Sequence, residues 1–402
     1  MDQLTRRQLA LTASALVVAA RPWRLQAATS DAAVGLVIGK KAAIEGLPGP
    51  GPDVPAGALR SQQSNISGSL RAGVESAVDD LNERGGALGR KFRLVVEELE
   101  SSGPDRRRHA IEAARRLVAQ PGLVAVIGHV DAEDALPASI TYSEHGVLFI
   151  TPTITLGNLN CHGLTNVFAT VPDNAQIGQQ TAIFVYQEGR TSMAVLRSRT
   201  DEAAEQALGF LDQAGSLGLT VAARTSYVSG RTDFREILAD LRAKSFDTLF
   251  IAASTEESAR IILQSRDLDI TPKFVLGGLH DLPSLLARTR NFKGSIFVPV
   301  LEDASLDTKQ QGDFIRHFRQ RYGWDPDDWV WQGYDAINLL AATMEQTRSV
   351  EPQALIATLR YAMAWSGLMG RYSFERKGRI YTRSIAFARI RNGDLSYFSL
   401  GG

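Results

Sequence analysis

The residues of this chain that could do chemistry are present, but they lack the spacings that chemistry needs. Six histidines, at positions 109, 129, 145, 162, 280 and 317, form no H-E-x-x-H or comparable pair, the spacing that turns two imidazoles toward one metal from one helix face. No G-x-S-x-G occurs, so no strand-to-helix elbow presents a nucleophilic serine. "GLVIGKK" (35–41) has the look of a phosphate loop, but three residues separate its glycines and no Ser or Thr follows its lysines. Gly49-Pro50-Gly51 is a Pro-Gly turn, since the third glycine of a dinucleotide fingerprint is missing and no helix follows at once. Carboxylates are plentiful, yet none is marked as half of an acid–base couple. Glu133 and Asp134 stand in an expected first helical turn, where the helix dipole alone favours acids. The chain therefore reads as a non-enzyme with no metal and no cofactor.

What it offers instead is small polar groups at the ends of apolar runs. Residues 148–155 read "LFITPTIT", a buried strand that ends in threonines around a proline. Ala132–Asp134 follow the end of the preceding run, and His129 and His280 also follow strand ends. Open parallel sheets bind ligands outside the carboxyl ends of their strands, so the hydroxyls of Thr151, Thr153 and Thr155 and the free amides near Ala132 are expected to face a cleft. Trp324, Trp329, Trp331 and Tyr334 surround the start of a helix. Trp329 is a candidate flat wall for an organic ligand, whereas Trp331 and Tyr334 read as core. Lys40 and Lys41, at the end of the first strand, are either solvated loop charges or partners for an anionic group.

The elements that must position these groups are legible in the hydrophobic period. Strand patterns at 34–39, 91–98, 123–128 and 147–150 alternate with helix patterns at 66–83, 105–119 and 133–145. A second set follows, with helices at 175–188, 201–215, 232–243 and 256–267 and strands at 192–197, 219–227, 247–252, 273–277 and 294–300. Helices near 308–322 and 329–347 come next, then strands and turns from 365 to 398. Strands alternating with amphipathic helices are the sequence form of βαβ units. Two consecutive doubly wound parallel sheets account for this series better than one.

The chain has 402 residues, enough for two domains with separate cores. Its 44 basic and 44 acidic residues balance, so neither nucleic acid nor an anionic membrane is an expected partner. Cys161 is the sole cysteine, which excludes an internal disulfide and paired thiolate metal ligands. Residues 1–29 place Arg6 and Arg7 before an apolar run and a small-residue segment, the order of a cleaved export signal. Thr5-Arg6-Arg7-Gln8-Leu9, with Arg21 and Arg24 beyond the apolar run, suits the twin-arginine type. No cysteine stands near the cleavage region to carry a lipid anchor, and the expected product is a soluble periplasmic protein, read as a monomer.

Four stretches in order and spacing, "AVDDLNERGGALGRKFRLVVEE", "VAVIGHVDAEDALPASITYSEHGVLFITPTIT", "GRTDFREILADLRAKSFDTLFIAA" and "QGYDAINLL", carry a resemblance. The mature chain resembles the periplasmic solute-binding proteins of the leucine/isoleucine/valine-binding type, receptors of ABC importers for branched-chain amino acids, amides and related molecules. The resemblance implies two α/β lobes of the type I periplasmic binding fold, three hinge crossings, and a small-molecule ligand held by closure and passed to a membrane permease. The crossings are expected near 172, 300 and 366, which assigns 30–172 plus 300–365 to an N-terminal lobe and 173–299 plus 366–402 to a C-terminal lobe. A ligand sensor feeding a membrane signalling partner is the alternative.

The resemblance also implies ligand contacts. Thr155 matches the family threonine that holds an amino acid's polar end, and Thr153 matches the small residue whose backbone faces the ligand. The family serine falls on Ala132, the second-lobe tyrosine on Ser254, and the glutamate that meets the ammonium on the Gly-Gly-Leu of 277–279. A buried ammonium without its carboxylate lacks charge compensation, so a branched-chain amino acid fits poorly, although Asp281 or Glu133 could compensate from shifted positions. Together with Trp329 and the "LPGPGPDVP" loop, the pattern points to a less zwitterionic, partly apolar or aromatic solute. The expected contacts are Thr153, Thr155, Ala132 and Glu133 from the first lobe, Ser254, Thr255, His280 and Asp281 from the second, and Trp329 as a wall.

Overall fold

The structure, a computed structural model, describes residues 31–40, 66–100, 103–160, 163–301, 309–381 and 385–399. The export segment and Lys41 lie outside these residues.

The first sheet is built from β1 (Ala32–Gly39), β2 (Phe92–Leu99), β3 (Leu123–Gly128), β4 (Leu148–Thr151) and β5 (Val167–Ala169), in the order β2-β1-β3-β4-β5. All of its pairings are parallel. A parallel strand covered on both faces needs apolar residues at every position, and β1 is buried from Ala32 to Ile38. Its alternate side chains serve two cores. Val34, Leu36 and Ile38 pack with α1 (Ile66–Glu83) and α10 (Asp328–Thr347), while Val37 packs with α2 (Arg106–Val118) and α3 (Ala132–Glu144).

The second sheet repeats the plan. β6 (Ser192–Ser198), β7 (Thr220–Tyr227), β8 (Thr248–Ala252), β9 (Lys273–Leu276) and β10 (Ser295–Val300) run parallel in the order β7-β6-β8-β9-β10. β13 (Ala386–Arg391) and β14 (Asp394–Ser399) then add antiparallel strands beyond β10. Around this sheet lie α4 (Asn174–Gln187), α5 (Asp201–Ser216), α6 (Arg235–Arg242), α7 (Thr255–Asp267) and α8 (Leu282–Thr289). Each lobe thus has its topological switch between its first and third strands, a likeness that the alternation of the sequence did not reveal.

The chain passes between the sheets three times, after β5, after β10 and before β13. The last passage comes later than the expected 366. The hairpin of β11 (Trp365–Gly367) and β12 (Gly370–Tyr372), with Tyr372 and Ile380, still packs in the first lobe's core. The first and third passages run side by side: Ala169 N–H donates to Gly378 O at 2.9 Å, and Arg379 pairs with Asp173 at 2.6 Å. Asp173 is also the capping-box residue of α4, so one carboxylate starts a second-lobe helix and ties two crossings together.

α9 (Lys309–Tyr322) falls where a helix was expected, whereas β5, α8 and α11 (Pro352–Tyr361) were absent from the sequence-based series. β5 is three residues long, too short to display a period.

Two helix pairs approach through reciprocal glycines. A Cβ on Gly178 of α4 would stand 2.2 Å from Gln206 O, and one on Gly209 of α5 would stand 2.1 Å from Ala175 O. The first lobe repeats the device with Gly73 of α1 against Val330 O at 2.1 Å and Gly333 of α10 against Leu70 O at 2.6 Å. Backbone cannot retreat as a flexible side chain can, so Gly178→Val must separate α4 from α5. It is expected to destabilise the protein by at least about 3 kcal/mol, which denaturant unfolding will measure; a loss below about 1 kcal/mol would show that the helices slide apart freely.

Candidate functional site

The carboxyl ends of the two sheets meet. Leu279, in the loop after β9, packs against the first lobe's main core and against a core of the second lobe. Gly157, in the turn after β4, donates its N–H to Glu205 of α5 at 3.0 Å. Asp281, at the start of α8, lies near enough to Asp327, at the start of α10, for its charge to act on that carboxyl.

On the first lobe, the loop from β3 to α3 is held closed by Thr153. Its buried hydroxyl donates to His129 O at 3.1 Å, so the Thr153 side chain is turned to that loop. Thr155 is half-buried. Its carbonyl accepts from Asn174 N–H at 2.7 Å, and its hydroxyl has no hydrogen-bond partner among the described residues. Ala132 opens α3, half-buried, and Glu133 is exposed one residue later. Arg106 spans this helix start, pairing with Asp131 and Asp134 at 2.6 Å and with Glu133 at 3.4 Å. Burial pushes the Asp134 carboxyl up, and Arg106 works against that rise. Glu133 is thus already engaged by a guanidinium. Lys40, the expected anion partner, pairs instead with Glu100 at 2.6 Å, both side chains being exposed.

On the second lobe, α7 begins in a capping box: Ser254 Oγ accepts from Glu257 N–H, and the Glu257 side chain accepts from Ser254. The Ser254 hydroxyl is therefore taken up in starting the helix. Thr255 Oγ1 accepts from Asp281 N–H at 3.3 Å and lies 3.2 Å from His280 Nδ1. Asp281 caps α8 through Ser284 N–H at 3.2 Å. Burial lowers the His280 pKa to about 4, so its ring is neutral at ordinary pH.

Trp329 sits in the first turn of α10, partly buried against the first core. Trp331 and Tyr334 are core-facing as expected; both stack near Phe314, and the Tyr334 hydroxyl donates to Asp80 at 2.8 Å.

Sequence reasoning missed a polar floor beneath these groups. Gln206 Nε2 donates to Asn174 Oδ1 at 3.0 Å, and Asn174 reaches Glu205 at 3.5 Å. Gln206 lies against Gly277 and Gly278, because a Cβ on Gly278 would be 2.3 Å from its Nε2. Burial pushes the Glu205 carboxyl up, opposed by hydrogen bonds from Gly157 and Asn174. Asp327 was also missed. It accepts from Ser69 Oγ at 2.6 Å and from two amides at the start of α10, and burial still raises its pKa. No local period marks any of these residues, since each partner comes from a distant element. Among the described residues, no group of three His, Cys, Asp or Glu side chains is arranged to hold a metal, and no helix is long and apolar enough to cross a membrane.

Known proteins share this fold. The sequence profile of a family described as periplasmic binding protein matches residues 57–394. A "Leu/Ile/Val-binding protein homolog 1" of Brucella abortus (strain 2308) is 24% identical over 337 residues, 83% of this chain and 85% of the relative. An ABC transporter substrate-binding protein of Desulfitobacterium hafniense, solved in complex with Leu, superposes with a TM-score of 0.74 at 24% identity, covering 92% of this chain and 100% of that one. A solute-binding protein of an ABC transporter from R. palustris, solved with benzoate, gives a TM-score of 0.69 at 18% identity, covering 92% and 96%.

Proposed function

Since the chain belongs to the periplasmic binding protein family, we propose that it is a non-catalytic periplasmic receptor, exported by its twin-arginine leader. It captures one small organic solute between its lobes and delivers the solute to an ABC importer's permease. The observation that carries the reading is the meeting of both carboxyl-end rims across Leu279, Gly157–Glu205 and the Asp281–Asp327 pair. Residues at such rims are where parallel sheets take ligands, and the three crossings between the sheets allow the lobes to hinge. Thr155 supplies a hydroxyl from the first lobe, with the backbone of Thr153 and the amides near Ala132 and Glu133 beside it. Thr255, His280 and Asp281 supply the second-lobe side, Ser254 shapes its helix start, and Trp329 forms an apolar wall.

Mixed chemistry at the rim favours a solute with a polar end and an apolar body. Amino acids, amides, short carboxylates, alcohols and aromatic acids make up the panel for a thermal-shift and native mass spectrometry screen. One chemical class should bind with one-to-one stoichiometry and be recovered unchanged. Ligand at a hundred times its Kd should add about 2.7 kcal/mol of stability. Thr155→Val, which removes a hydroxyl without changing the side chain's shape, should weaken that binding about tenfold. Turnover of the bound molecule would make the protein an enzyme, and unchanged affinity in the variant would remove Thr155 from the site.

A further inference from the structure

His280 stands in a loop whose flanking residues are both directed at the other lobe. Leu279 packs on the first lobe's core, and the Asp281 charge reaches Asp327. The ring is held from the second-lobe side through Nδ1, 3.2 Å from Thr255 Oγ1. That hydroxyl already accepts the Asp281 N–H at 3.3 Å, and among the described residues His280 Nδ1 is the acceptor within reach of its own proton. A hydroxyl has one proton to give. Giving it to Nδ1 leaves the proton of the neutral ring on Nε2. Nε2 is buried and has no hydrogen-bond partner among the described residues, and Nδ1 is the ring nitrogen that meets α7. Buried donors are rarely left unpaired in a native structure without a reason.

We infer that His280 is a specificity-determining residue that presents a single uncharged N–H to the solute, so that the second lobe selects a ligand with an acceptor oxygen at that end and rejects an ammonium. This rests on the solute-receptor reading above. The surroundings agree with it. Gly277 and Gly278 bring no carboxylate, Gln206 lies against them, and Asp281 Oδ1 is committed to Ser284 N–H. An ammonium carries only donors, and facing Nε2–H it would leave both sides unmatched.

The full chain can be titrated calorimetrically with benzamide, benzoate, benzylamine and leucine, four probes that differ in which polar end they offer. Benzamide or benzoate is expected to bind at least about tenfold more tightly than benzylamine and leucine. His280→Ala should abolish that preference, and His280→Gln, which keeps an N–H donor, should restore most of it. Benzylamine or leucine binding as tightly as the acceptor-bearing probes would overturn the inference while leaving the receptor reading intact. Nitrogen-15 NMR of the ring provides a readout independent of any probe. The proton should reside on Nε2 at pH 7, and Thr255→Val should release that preference. A proton on Nδ1 would overturn the inference even if none of the four probes binds. Failure of every solute in the wider panel would count instead against the receptor reading.

Discussion

Asp335→Ala is expected to lower the stability of the protein by roughly 3–5 kcal/mol, because it strips three buried donors of their acceptor at once. Asp335 projects from α10 and is only 1% exposed. Its Oδ1 accepts from Leu368 N–H at 2.9 Å, and its Oδ2 accepts from Met369 N–H and from the Tyr372 hydroxyl, both at 2.8 Å. These donors belong to the β11–β12 hairpin, so a single side chain anchors the segment that leads into the third crossing. Gly367 makes room for it, since a Cβ there would stand 2.5 Å from Asp335 Oδ2. Each donor left buried and unpaired costs about 1–3 kcal/mol, and little water can enter to replace the carboxylate. Asp335→Asn retains one acceptor oxygen and should cost clearly less than the alanine variant. Denaturant unfolding monitored by circular dichroism measures both. Equal losses in the two variants, or less than about 1 kcal/mol in Asp335→Ala, would mean that the hairpin is held by packing alone.

Acidification should expose a second large effect, this one from a buried histidine. His129 is 1% exposed, its Nε2 is 3.0 Å from the Tyr142 hydroxyl, and its ring lies 5.8 Å from that of Phe149. Burial holds its pKa at about 3 against an ordinary value of 6.5. The folded ring therefore stays neutral while the unfolded chain takes up a proton below about pH 6.5. In that window the unfolded state binds more protons, so stability rises with pH and is lost as pH falls from 6.5 toward 3, at about 1.4 kcal/mol per pH unit for one such group. The stabilisation is fully present above pH 6.5. His280, lowered to about 4, adds to the loss in the same direction. Carboxylates titrate in the same range, which is why the informative quantity is a difference between proteins. His129→Gln keeps an amide near the Tyr142 hydroxyl and cannot titrate. Its stability between pH 6 and pH 4 should fall with a slope smaller than wild type by about one proton. Parallel curves for the two proteins would show that His129 is charged in the folded state or reaches solvent on that timescale.

Much of the local order was legible because it is written in short-range periods. α1 falls on Ile66–Glu83, as its apolar spacing implies, and β3 falls on Leu123–Gly128. Most other strands and helices lie within a residue or two of their expected limits, because a parallel strand must be apolar throughout and a covering helix apolar on one face. α6 starts later than expected, at Arg235, whose N–H donates to Asp233 Oδ1 at 3.1 Å, while the Arg231 guanidinium donates to Asp233 O. The fold class followed from the alternation of these elements, and the rule that open parallel sheets take ligands at the carboxyl ends of their strands pointed to the rims where polar side chains gather.

The candidate site was legible only as a neighbourhood. That Thr153, Thr155, Ser254, Thr255, His280 and Asp281 stand at strand ends and helix starts could be read along the chain. Where each hydroxyl is directed could not, because hydrogen bonds are satisfied by whatever the fold brings within 3 Å or so. Thr153 turns to His129 O, 24 residues away in sequence, and Thr255 turns to His280, 25 away. Lys40 finds Glu100 across 60 residues and is withdrawn from the ligand question.

By itself the sequence determined most of the elements, their order and the two-lobe class, since burial of alternating apolar faces constrains every residue of a strand or helix locally. The tertiary structure alone decided the common strand order of the lobes, the glycine-to-backbone contacts of α4 with α5 and α1 with α10, and the Asp173–Arg379 tie across 206 residues. It also decided which of the polar groups at the rims are already paired and which, like the Thr155 hydroxyl and His280 Nε2, have no partner among the described residues. Such pairings depend on distances between elements remote in the chain, and no local period encodes a distance.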